Sequence, residues 1–367
     1  QANPFSLMPD NKKTRVVVGL SGGGDSSAAA SLLVEQGYDV VGITLKVWPQ
    51  DCVSRAEDKC CGPQAVMDAR SVADKLDIPY YLVDESKEFQ RDVIDYFAAE
   101  YKAGRTPNPC VMCNEKLKFG NLIDRARKLG AEYVATGHYA RLEQRDGRTV
   151  LLRGRDARKD QTYFLFSLGQ EQLAHMMFPL GELQKSETRE VARCVNLKTA
   201  EKQESQEICF VPDKDYKKFL TTAGLVEEHR GEIVDTRGQV LGHHDGIEFY
   251  TIGQRKGLGI SSPTPMYVIE LDPENNRVVV GGEELLLRDE FRIDRCNWIA
   301  FERLAKPIEA SAAIRYNHPG TEATVIPGEN GQATVKLREP QRAVTPGQAC
   351  VFYQGDLVVG GGWIMRD

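Results

Sequence analysis

The chain of 367 residues contains no apolar run of about 18 residues, the minimum that a membrane-spanning helix needs, so we expect no membrane partner. Residues 1–11 lack the apolar core of a signal peptide, which predicts a cytoplasmic protein with reduced thiols. Positive charge is not in excess either, because 47 Lys and Arg stand against 53 Asp and Glu, a formal net charge of −6. General nucleic-acid affinity is therefore disfavoured, and any RNA contact must come from local patches.

The composition indicates a globular protein with an ample core, since 41% of the residues are hydrophobic and 27% are charged. A chain of 367 residues predicts two or three domains. Its 9 cysteines are too few for a disulfide scaffold of this length. In a reducing compartment, clustered cysteines are more often catalytic or metal-binding.

One glycine-rich segment, Ser21-Gly22-Gly23-Gly24-Asp25-Ser26-Ser27, stands between a predicted strand and a predicted helix. The apolar run Arg15–Leu20 precedes it, and a helical pattern rich in Ala and Leu follows from Ser26 to Gln36. Backbone N–H groups in such a turn, together with the helix N-terminus, bind phosphate oxygens. The segment lacks the lysine of a Walker A loop, which excludes a kinase-like or GTPase-like phosphate loop. An ordinary βα turn is the alternative.

The first half of the chain alternates strand and helix patterns, which predicts an α/β fold with a parallel sheet covered on both faces. Ligands of such sheets bind at the carboxyl ends of the strands, so the glycine-rich segment and Gly137-His138 are expected on one rim. Further strands are predicted at Val40–Leu45, Tyr80–Asp84 and Tyr133–Thr136, and helices at Ala65–Leu76, Phe89–Tyr101, Leu117–Leu129 and Gln170–Asn196.

The second half changes to short strands separated by turn residues. Glu232–Val234 with Gly238–Gly242, and Tyr267–Leu271 with Arg277–Val280, predict two strand pairs. From about Phe291 onward, short alternating strands predict a small β-barrel.

The second informative segment, Gly104-Arg105-Thr106-Pro107-Asn108-Pro109-Cys110-Val111-Met112-Cys113-Asn114, ends in a C-x-x-C just before a predicted helix. A helix N-terminus favours the thiolate, so these cysteines are candidates for nucleophiles. A zinc half-site is the alternative, although the adjacent pair Cys60-Cys61 has the wrong spacing to complete it. Cys209 stands alone between Ile208 and Phe210, where a buried apolar role is equally typical.

Several motifs occur together and in order, and together they resemble one family. They are SGGxDSS, GRTPNPCxxCN, ATGHYA (Ala135–Ala140), LLRGRDxxKDQTYFL (Leu151–Leu165), SQEICF and TIGQRKGLG (Thr251–Gly259). The first resembles the PP-loop of ATP pyrophosphatases, with Gly24 where valine is most common. The whole set, from Arg15 onward, resembles the tRNA-specific 2-thiouridylases (the MnmA/TrmU family).

This resemblance implies a PP-loop domain with the catalytic cysteines over residues 1–211, a small central RNA-contacting domain over 212–285 and a C-terminal β-barrel over 286–367. It implies that ATP, with Mg²⁺, adenylates O2 of the wobble uridine U34 of tRNA, and that sulfur then replaces this oxygen. The implied tRNAs are the Lys, Glu and Gln isoacceptors. The implied sulfur donor is a cysteine desulfurase or a relay protein, and we expect a monomer.

The resemblance also implies roles for particular residues. Cys209 would carry a persulfide, and Cys113 would act as the nucleophile that forms a disulfide with it. Nucleotide binding falls on Gly19, Leu20, Ser21, Gly22, Gly23, Gly24, Asp25, Ser26, Leu45 and Gly137. RNA contact falls on Asn108, Pro109, Cys110, His138, Lys159, Asp160, Gln161, Arg315, Tyr316 and Gln348.

Three alternatives stay open at this point. Cys110, Cys113 and Cys209 could instead hold an oxygen-sensitive [4Fe–4S] cluster. An amide-forming PP-loop ligase would leave the three cysteines unexplained. An RNA-binding module with a vestigial ATP site would leave the intact Asp25-Ser26-Ser27 unexplained.

Overall fold

The computed structural model describes residues 14–47, 62–194, 208–211 and 215–366. Cys52, Cys60 and Cys61 lie outside the described residues. The chain divides into two compact units. The first comprises residues 1–92, 110–210 and 355–358, and the second comprises residues 93–109, 211–354 and 359–367.

The described helices and strands follow the chain in a regular order. The α-helices are α1 Gly24–Glu35, α2 Pro63–Lys75, α3 Ser86–Phe89, α4 Tyr96–Lys102, α5 Pro109–Met112, α6 Leu122–Lys128, α7 Gln170–Ala174, α8 Lys185–Cys194 and α9 Tyr216–Thr222. The strands are β1 Arg15–Gly19, β2 Asp39–Lys46, β3 Tyr80–Asp84, β4 Tyr133–Ala135, β5 Ala140–Arg145, β6 Arg148–Arg153, β7 Met176–Met177, β8 Gly231–Asp235, β9 Val240–His244, β10 Tyr267–Asp272, β11 Arg277–Gly281, β12 Leu287–Trp298, β13 Ile308–Ala313, β14 Thr321–Pro327, β15 Ala333–Arg342, β16 Ala349–Gln354 and β17 Leu357–Ile364. Two π-helical segments occupy Gln90–Asp95 and Cys113–Asn121.

The first unit is built on a parallel sheet with strand order β3-β2-β1-β4-β7. Strand β1 lies at the centre, with Val16 paired to Val40 of β2 on one side and to Tyr133 of β4 on the other. Its three consecutive valines are fully buried because α1 and its neighbours cover the sheet. The predicted α/β fold with a parallel sheet is confirmed.

The edge strand β3 departs from that prediction. Tyr81 and Leu82 are 48% and 43% exposed, so the described part of the chain does not bury this strand on both faces. The predicted helix over Gln170–Asn196 is also wrong in part. It is two short helices, α7 and α8, and the strand β7 between them pairs with β4 and extends the sheet.

A hairpin formed by β5 and β6 is absent from the sequence-based prediction, although its signal is in the chain. The two strands pair from Ala140 with Arg153 to Arg145 with Arg148. The turn is Asp146-Gly147, both with positive φ (49° and 76°), as a two-residue hairpin loop requires. Leu357 of the chain's last strand pairs with Leu152, which explains why residues 355–358 belong to the first unit.

The second unit contains the two predicted strand pairs in one sheet of order β10-β11-β8-β9. Strands β8 and β9 are antiparallel, as are β10 and β11, and the two pairs join through parallel pairing of β11 with β8. Both predicted pairs are therefore confirmed.

The predicted C-terminal barrel is also confirmed. Six strands follow the order β12-β15-β14-β13-β16-β17, and pairing of β12 with β17 closes them. Closure removes the free edges that an open sheet would leave. The interior is apolar, with Ile293, Val325, Val335 and Phe352 fully buried.

No helix in the described ranges combines the length and the apolar character needed to cross a bilayer.

Gly24 is the first residue of α1 and follows the N-cap Gly23, so it belongs to the helix and not to the preceding turn. It is not among the glycines with positive φ. Because valine costs less than glycine within a helix, we expect Gly24→Val to leave the free energy of unfolding unchanged or to raise it by up to about 0.4 kcal/mol. Urea denaturation measures the free energy of unfolding. A clearly lower free energy, or a clear loss of ATP use by the variant, would contradict the expectation that the loop tolerates this substitution.

Candidate active site

The glycine-rich segment turns sharply between β1 and α1, and Gly22 is the residue at the turn whose backbone is left-handed. Its φ is +70°, in the region that glycine adopts without strain. A Cβ atom there would lie 2.2 Å from the carbonyl oxygen of Ala65, at the start of α2. The loop backbone is therefore pressed against a neighbouring helix, and only glycine fits.

The serines of the loop form a closed set of hydrogen bonds. Ser26 Oγ accepts from the Ser21 N–H at 3.1 Å and donates to the Gly23 carbonyl at 3.2 Å. Ser27 Oγ donates to the same carbonyl at 2.8 Å. The N-cap of α1 is Gly23, and no side chain caps the first turn. The N–H groups that begin an α-helix precede any partner in its i→i−4 pattern, which makes a helix N-terminus suited to binding phosphate.

Gly137, which follows β4, lies directly against the first turn of α1. A Cβ atom at Gly137 would come within 2.7 Å of the Asp25 carbonyl carbon and of the Ser26 nitrogen. The structure therefore brings Gly137 to the predicted loop. Leu20 is tied to the adjoining strand β2, because its N–H donates to Ile43 and its carbonyl accepts from Thr44 Oγ1 at 2.7 Å. Leu45 lies two residues after Ile43 on β2 and is half-buried.

Asp25, in the first turn of α1, belongs to a polar network that includes a lysine distant in sequence. Its Oδ1 is 2.6 Å from Lys185 Nζ at the start of α8. Tyr139 Oη lies 3.1 Å from the same oxygen and 2.9 Å from Thr188 Oγ1. Since the tyrosine has one hydroxyl proton, it donates to only one of them at a time. The charge of Asp25 is thus balanced by Lys185.

The donor set of the loop fits a magnesium nucleotide. Carboxylate and hydroxyl oxygens suit Mg²⁺, which typically takes one or two carboxylates and completes its shell with phosphate oxygens and water. Asp25 and the hydroxyls of Ser21 and Ser26 are the oxygens available here.

Cys113 lies inside a helical segment rather than just before one, which corrects the sequence-based prediction. Helix α5 begins at Pro109, and the π-helical segment begins at Cys113 itself. Cys110 is therefore the second helical residue and Cys113 the fifth. Both are half-buried thiols. π-helical segments occur frequently at functional sites because they change the direction of the side chains before them.

The irregular backbone after Cys113 is held by two amide side chains. Gln172 Nε2 donates to the carbonyls of Phe119 and Glu115, at 2.7 and 3.3 Å. Asn114 is 3% exposed, and its Nδ2 lies 3.3 Å from the Phe164 carbonyl. The Gln172 contacts supply a partner for carbonyls of the π segment, and the Asn114 contact ties that segment to Phe164.

Cys209 belongs to the same unit as Cys113 and is also a half-buried thiol. The next residue, Phe210, is 2% exposed and packs edge-on against Phe89, with the ring centroids 5.7 Å apart. This buried ring fixes the chain immediately after Cys209.

The three thiols do not fit a [4Fe–4S] site as they stand. Within the described ranges, no three His, Cys, Asp or Glu side chains are arranged to hold a metal ion, and Cys110, Cys113 and Cys209 all lie in those ranges. We therefore derive no step through a cluster.

Other cysteines are unsuited to nucleophilic roles. Burial raises the pKa of Cys296 to about 12 and raises the pKa of the fully buried Cys350 further, so both stay protonated.

His138 follows Gly137 and sits in an apolar environment. Its ring centroid is 5.5 Å from that of Phe119 and 6.1 Å from that of Phe178, and its Nδ1 lies 2.8 Å from Thr136 Oγ1. Burial, and then the charge of Lys118, hold the pKa of His138 well below 6.5. The imidazole is therefore neutral at neutral pH, and its predicted RNA contact would be a hydrogen bond or a stack rather than a charge.

This lowered pKa makes stability fall in acid. The unfolded chain takes up the proton near pH 6.5 and the folded chain resists it, so the free energy of unfolding decreases as the pH falls below 6.5. One such group contributes up to about 1.4 kcal/mol per pH unit. We expect His138→Gln to flatten the slope in urea midpoints measured between pH 5.0 and 7.5. His244 and His318, whose pKa values burial also lowers, leave a residual slope. An unchanged slope in the variant would refute this.

The Lys159-Asp160-Gln161 segment is hydrogen-bonded to Tyr139, two residues after Gly137. Asp160 is 9% exposed and accepts from the N–H of Gly154 and from the Thr162 hydroxyl. Burial raises the pKa of its carboxyl group, and these hydrogen bonds oppose the rise. Gln161 Oε1 accepts from the Tyr139 N–H at 3.0 Å. Lys159 is half-buried. Asp160 and Gln161 thus have structural contacts, and their RNA contacts stay predictions.

Five of the predicted RNA-contact residues belong to the second unit, where their surroundings differ. Gln348 Nε2 donates to the carbonyls of Thr106 and Pro107, at 2.9 and 3.1 Å, and so supports the loop that leads to Asn108. Asn108 and Pro109 are buried, whereas Arg315 and Tyr316, just after β13, are exposed. The structure does not test their binding to RNA.

Sequence reasoning missed several residues of this site. Lys185 lies 160 positions after Asp25, so no local motif joins them. Gln172 supports the backbone of a segment whose π character has no reliable sequence signal. Tyr139 is within the quoted ATGHYA motif but was given no role.

Comparisons with known proteins match almost the whole chain. Residues 14–213 match the tRNA methyl transferase HUP domain, 217–282 the tRNA methyl transferase PRC-barrel domain and 288–364 the aminomethyltransferase beta-barrel domain. The tRNA-specific 2-thiouridylase MnmA of Clostridium perfringens is 49% identical over 353 residues, covering 96% of this chain and 98% of that protein. The enzyme of the same name from Moorella thermoacetica is 51% identical over 351 residues, covering 95% of this chain and 98% of that protein.

Proposed function

Because the chain belongs to the tRNA-specific 2-thiouridylase MnmA family, we propose that it catalyses ATP-dependent 2-thiolation of the wobble uridine U34 of tRNA. It is an enzyme of the sulfurtransferase class. The observation that carries the proposal is the presence, in one unit, of a phosphate-type loop and two half-buried cysteines in the family's motifs.

The first step activates an oxygen that is otherwise a poor leaving group. Uridine O2 attacks the α-phosphorus of ATP, the bond between that phosphorus and the bridging oxygen breaks, and pyrophosphate leaves with the electron pair. The loop from Gly19 to Ser26, with Gly137 and Leu45, holds the nucleotide. Support comes from the close approach of Gly137 to the first turn of α1 and from the oxygen donors around Asp25. Mg²⁺, when bound, supplies positive charge against the phosphates.

The second step transfers sulfur from a persulfide on Cys209. Its terminal sulfur attacks C2 of the adenylated uridine, and AMP leaves with the O2 atom. The Cys113 thiolate then attacks Cys209 Sγ, and the bond between Cys209 Sγ and the sulfur now attached to C2 of the uridine breaks. The products are 2-thiouridine and a Cys113–Cys209 disulfide, which a cellular dithiol reduces. The half-buried thiol state of both residues supports these roles.

Uridine U34 reaches the ATP and the persulfide only if its base leaves the anticodon stack. We propose that RNA contact comes from Asn108, Pro109, Cys110, His138, Lys159, Asp160, Gln161, Arg315, Tyr316 and Gln348. The exposed pair Arg315-Tyr316 offers a charge for phosphate and a ring for stacking. The proposed substrates are tRNAs for Lys, Glu and Gln, and the sulfur donor is a desulfurase or a relay protein.

We also propose the division into a PP-loop domain over residues 1–211, a central domain over 212–285 and a barrel domain over 286–367. The strand pattern supports it, because the strands of the sheet β3-β2-β1-β4-β7 end at Met177 and the barrel strands begin at Leu287.

Mass spectrometry of bulk tRNA tests the proposal. Cells that lack the gene should contain no 2-thiouridine at position 34, and expression of the chain should restore it. Purified protein with ATP, tRNA and a persulfide donor should release pyrophosphate and form 2-thiouridine. Unchanged 2-thiouridine in the deletion strain would overturn the proposal, and tRNA binding without pyrophosphate release would indicate an RNA-binding module instead.

A further inference from the structure

The phosphate-type loop lacks a lysine in sequence, but the fold brings one to it. Lys185 Nζ lies 2.6 Å from Asp25 Oδ1, in the first turn of α1. Nothing in the family motifs quoted above includes Lys185. Both side chains are partly shielded from water, at 14% exposure for the lysine and 29% for the aspartate. The pair therefore lies at the first turn of α1 and keeps some contact with water.

Lys185 is held in place by contacts on each side. Its N–H donates to Asp156 Oδ2 at 3.0 Å, and Asp156 is itself 8% exposed. Its ammonium lies 5.8 Å from the centroid of the Tyr139 ring, a cation–π distance. Tyr139 in turn reaches Asp25 and Thr188 with its hydroxyl. Lys185 therefore has a second favourable environment when it is not paired with Asp25.

We propose that Lys185 is the phosphate-binding cation of this loop. This rests on the proposed use of ATP, which the loop would bind with Asp25 facing the phosphates. On nucleotide binding, the ammonium leaves the Asp25 carboxylate and binds an oxygen of the β- or γ-phosphate. Asp25 is then available to the divalent cation that accompanies ATP, so neither charge is left unpaired.

The electrostatics favour this exchange. When the bond between the α-phosphorus and the bridging oxygen breaks, negative charge grows on the departing pyrophosphate. Backbone N–H groups at a helix end supply partial charges, whereas an ammonium group supplies a full charge and stays with the pyrophosphate as it leaves.

The test is calorimetric binding of inorganic pyrophosphate, ATP and AMP, each with Mg²⁺ and without tRNA. We expect Lys185→Met to weaken pyrophosphate and ATP binding at least about tenfold, because a charge-assisted hydrogen bond is lost. AMP lacks the β- and γ-phosphates, so its affinity should change less than about twofold. Lys185→Arg keeps the charge and should retain most of the affinity for pyrophosphate.

A matched control separates binding from folding. Arg125 pairs with the buried Glu85 in the same unit, 3.1 Å away, and has no place in the proposed site. Arg125→Met should lower the melting temperature and leave pyrophosphate affinity unchanged. Equal pyrophosphate affinity in Lys185→Met and wild type would overturn the inference, and so would an equal loss for AMP and ATP. Wild-type protein that binds pyrophosphate but never thiolates tRNA would contradict the proposed function and leave the lysine assignment standing.

Discussion

Cys113→Ala and Cys209→Ala are each expected to abolish formation of 2-thiouridine while pyrophosphate release with ATP and tRNA survives at least in part. The thiols act in sulfur transfer, which follows adenylation, and the nucleotide loop is made of other residues. The two reactions are measured on the same samples, by mass spectrometry of nucleosides and by a coupled pyrophosphate assay. Wild-type sulfur transfer by either variant would remove it from the assigned role.

Two other cysteines serve as controls for this result. Cys194 is exposed on α8, and Cys194→Ala should thiolate at the wild-type rate. Cys110→Ala distinguishes the persulfide route from the cluster route, since only a cluster needs all three thiols for sulfur chemistry. The cluster route would be favoured if Cys110→Ala lost thiolation as completely as Cys113→Ala and if anaerobically prepared protein contained iron and acid-labile sulfide.

Gly22→Ala is expected to prevent ATP binding and to lower the free energy of unfolding by roughly 1–3 kcal/mol from backbone strain, with a further loss from steric overlap. Its φ of +70° disfavours any side chain, and the new Cβ would lie 2.2 Å from the Ala65 carbonyl oxygen. Either the loop or α2 must move, and both changes displace the N–H groups that face the phosphates. Calorimetry with ATP and urea denaturation measure the two effects.

Gly37→Ala provides the comparison at the other end of the same helix. Gly37 has a φ of +86° and no heavy atom within 4 Å of the position of a Cβ atom. That variant therefore carries the conformational cost alone, about 1 kcal/mol, and should bind ATP as wild type does. Equal effects of the two substitutions would show that the contact with Ala65 is unimportant.

Much of this fold follows from patterns that the sequence displays locally. The buried valines of β1, the glycine stops after helices and the turn residues between barrel strands each act over a few positions, so their structures were predicted correctly. The start of the helix around Cys110 was misplaced, because Pro109 is as typical of a helix's first turn as of an extended loop. The small strand β7 was missed since two residues carry no periodicity.

The candidate site was predictable where a motif is contiguous and hidden where it is not. The loop from Ser21 to Ser26 was identified because its residues are neighbours in sequence. The pairing of Asp25 with Lys185 depends on how α8 packs on α1, and no pattern of spacing encodes that. The burial of Asp160 and the contacts of Gln161 have the same origin, since they arise from packing between segments.

The π-helical segment Cys113–Asn121 has one more consequence, which concerns chain length. A π segment accommodates an additional residue compared with an α-helix, and each residue of an α-helix turns the chain by about 100°. Inserting one further residue between Asn114 and Gly120 would exceed what the segment accommodates and would rotate the Cys113 thiol by about that angle relative to α6. Deleting one residue would restore regular winding and remove the displaced carbonyls that Gln172 binds. Substitutions on this surface leave the count intact, whereas insertions and deletions change the segment that follows the nucleophile. Among relatives, length should therefore be preserved here more strictly than side-chain identity.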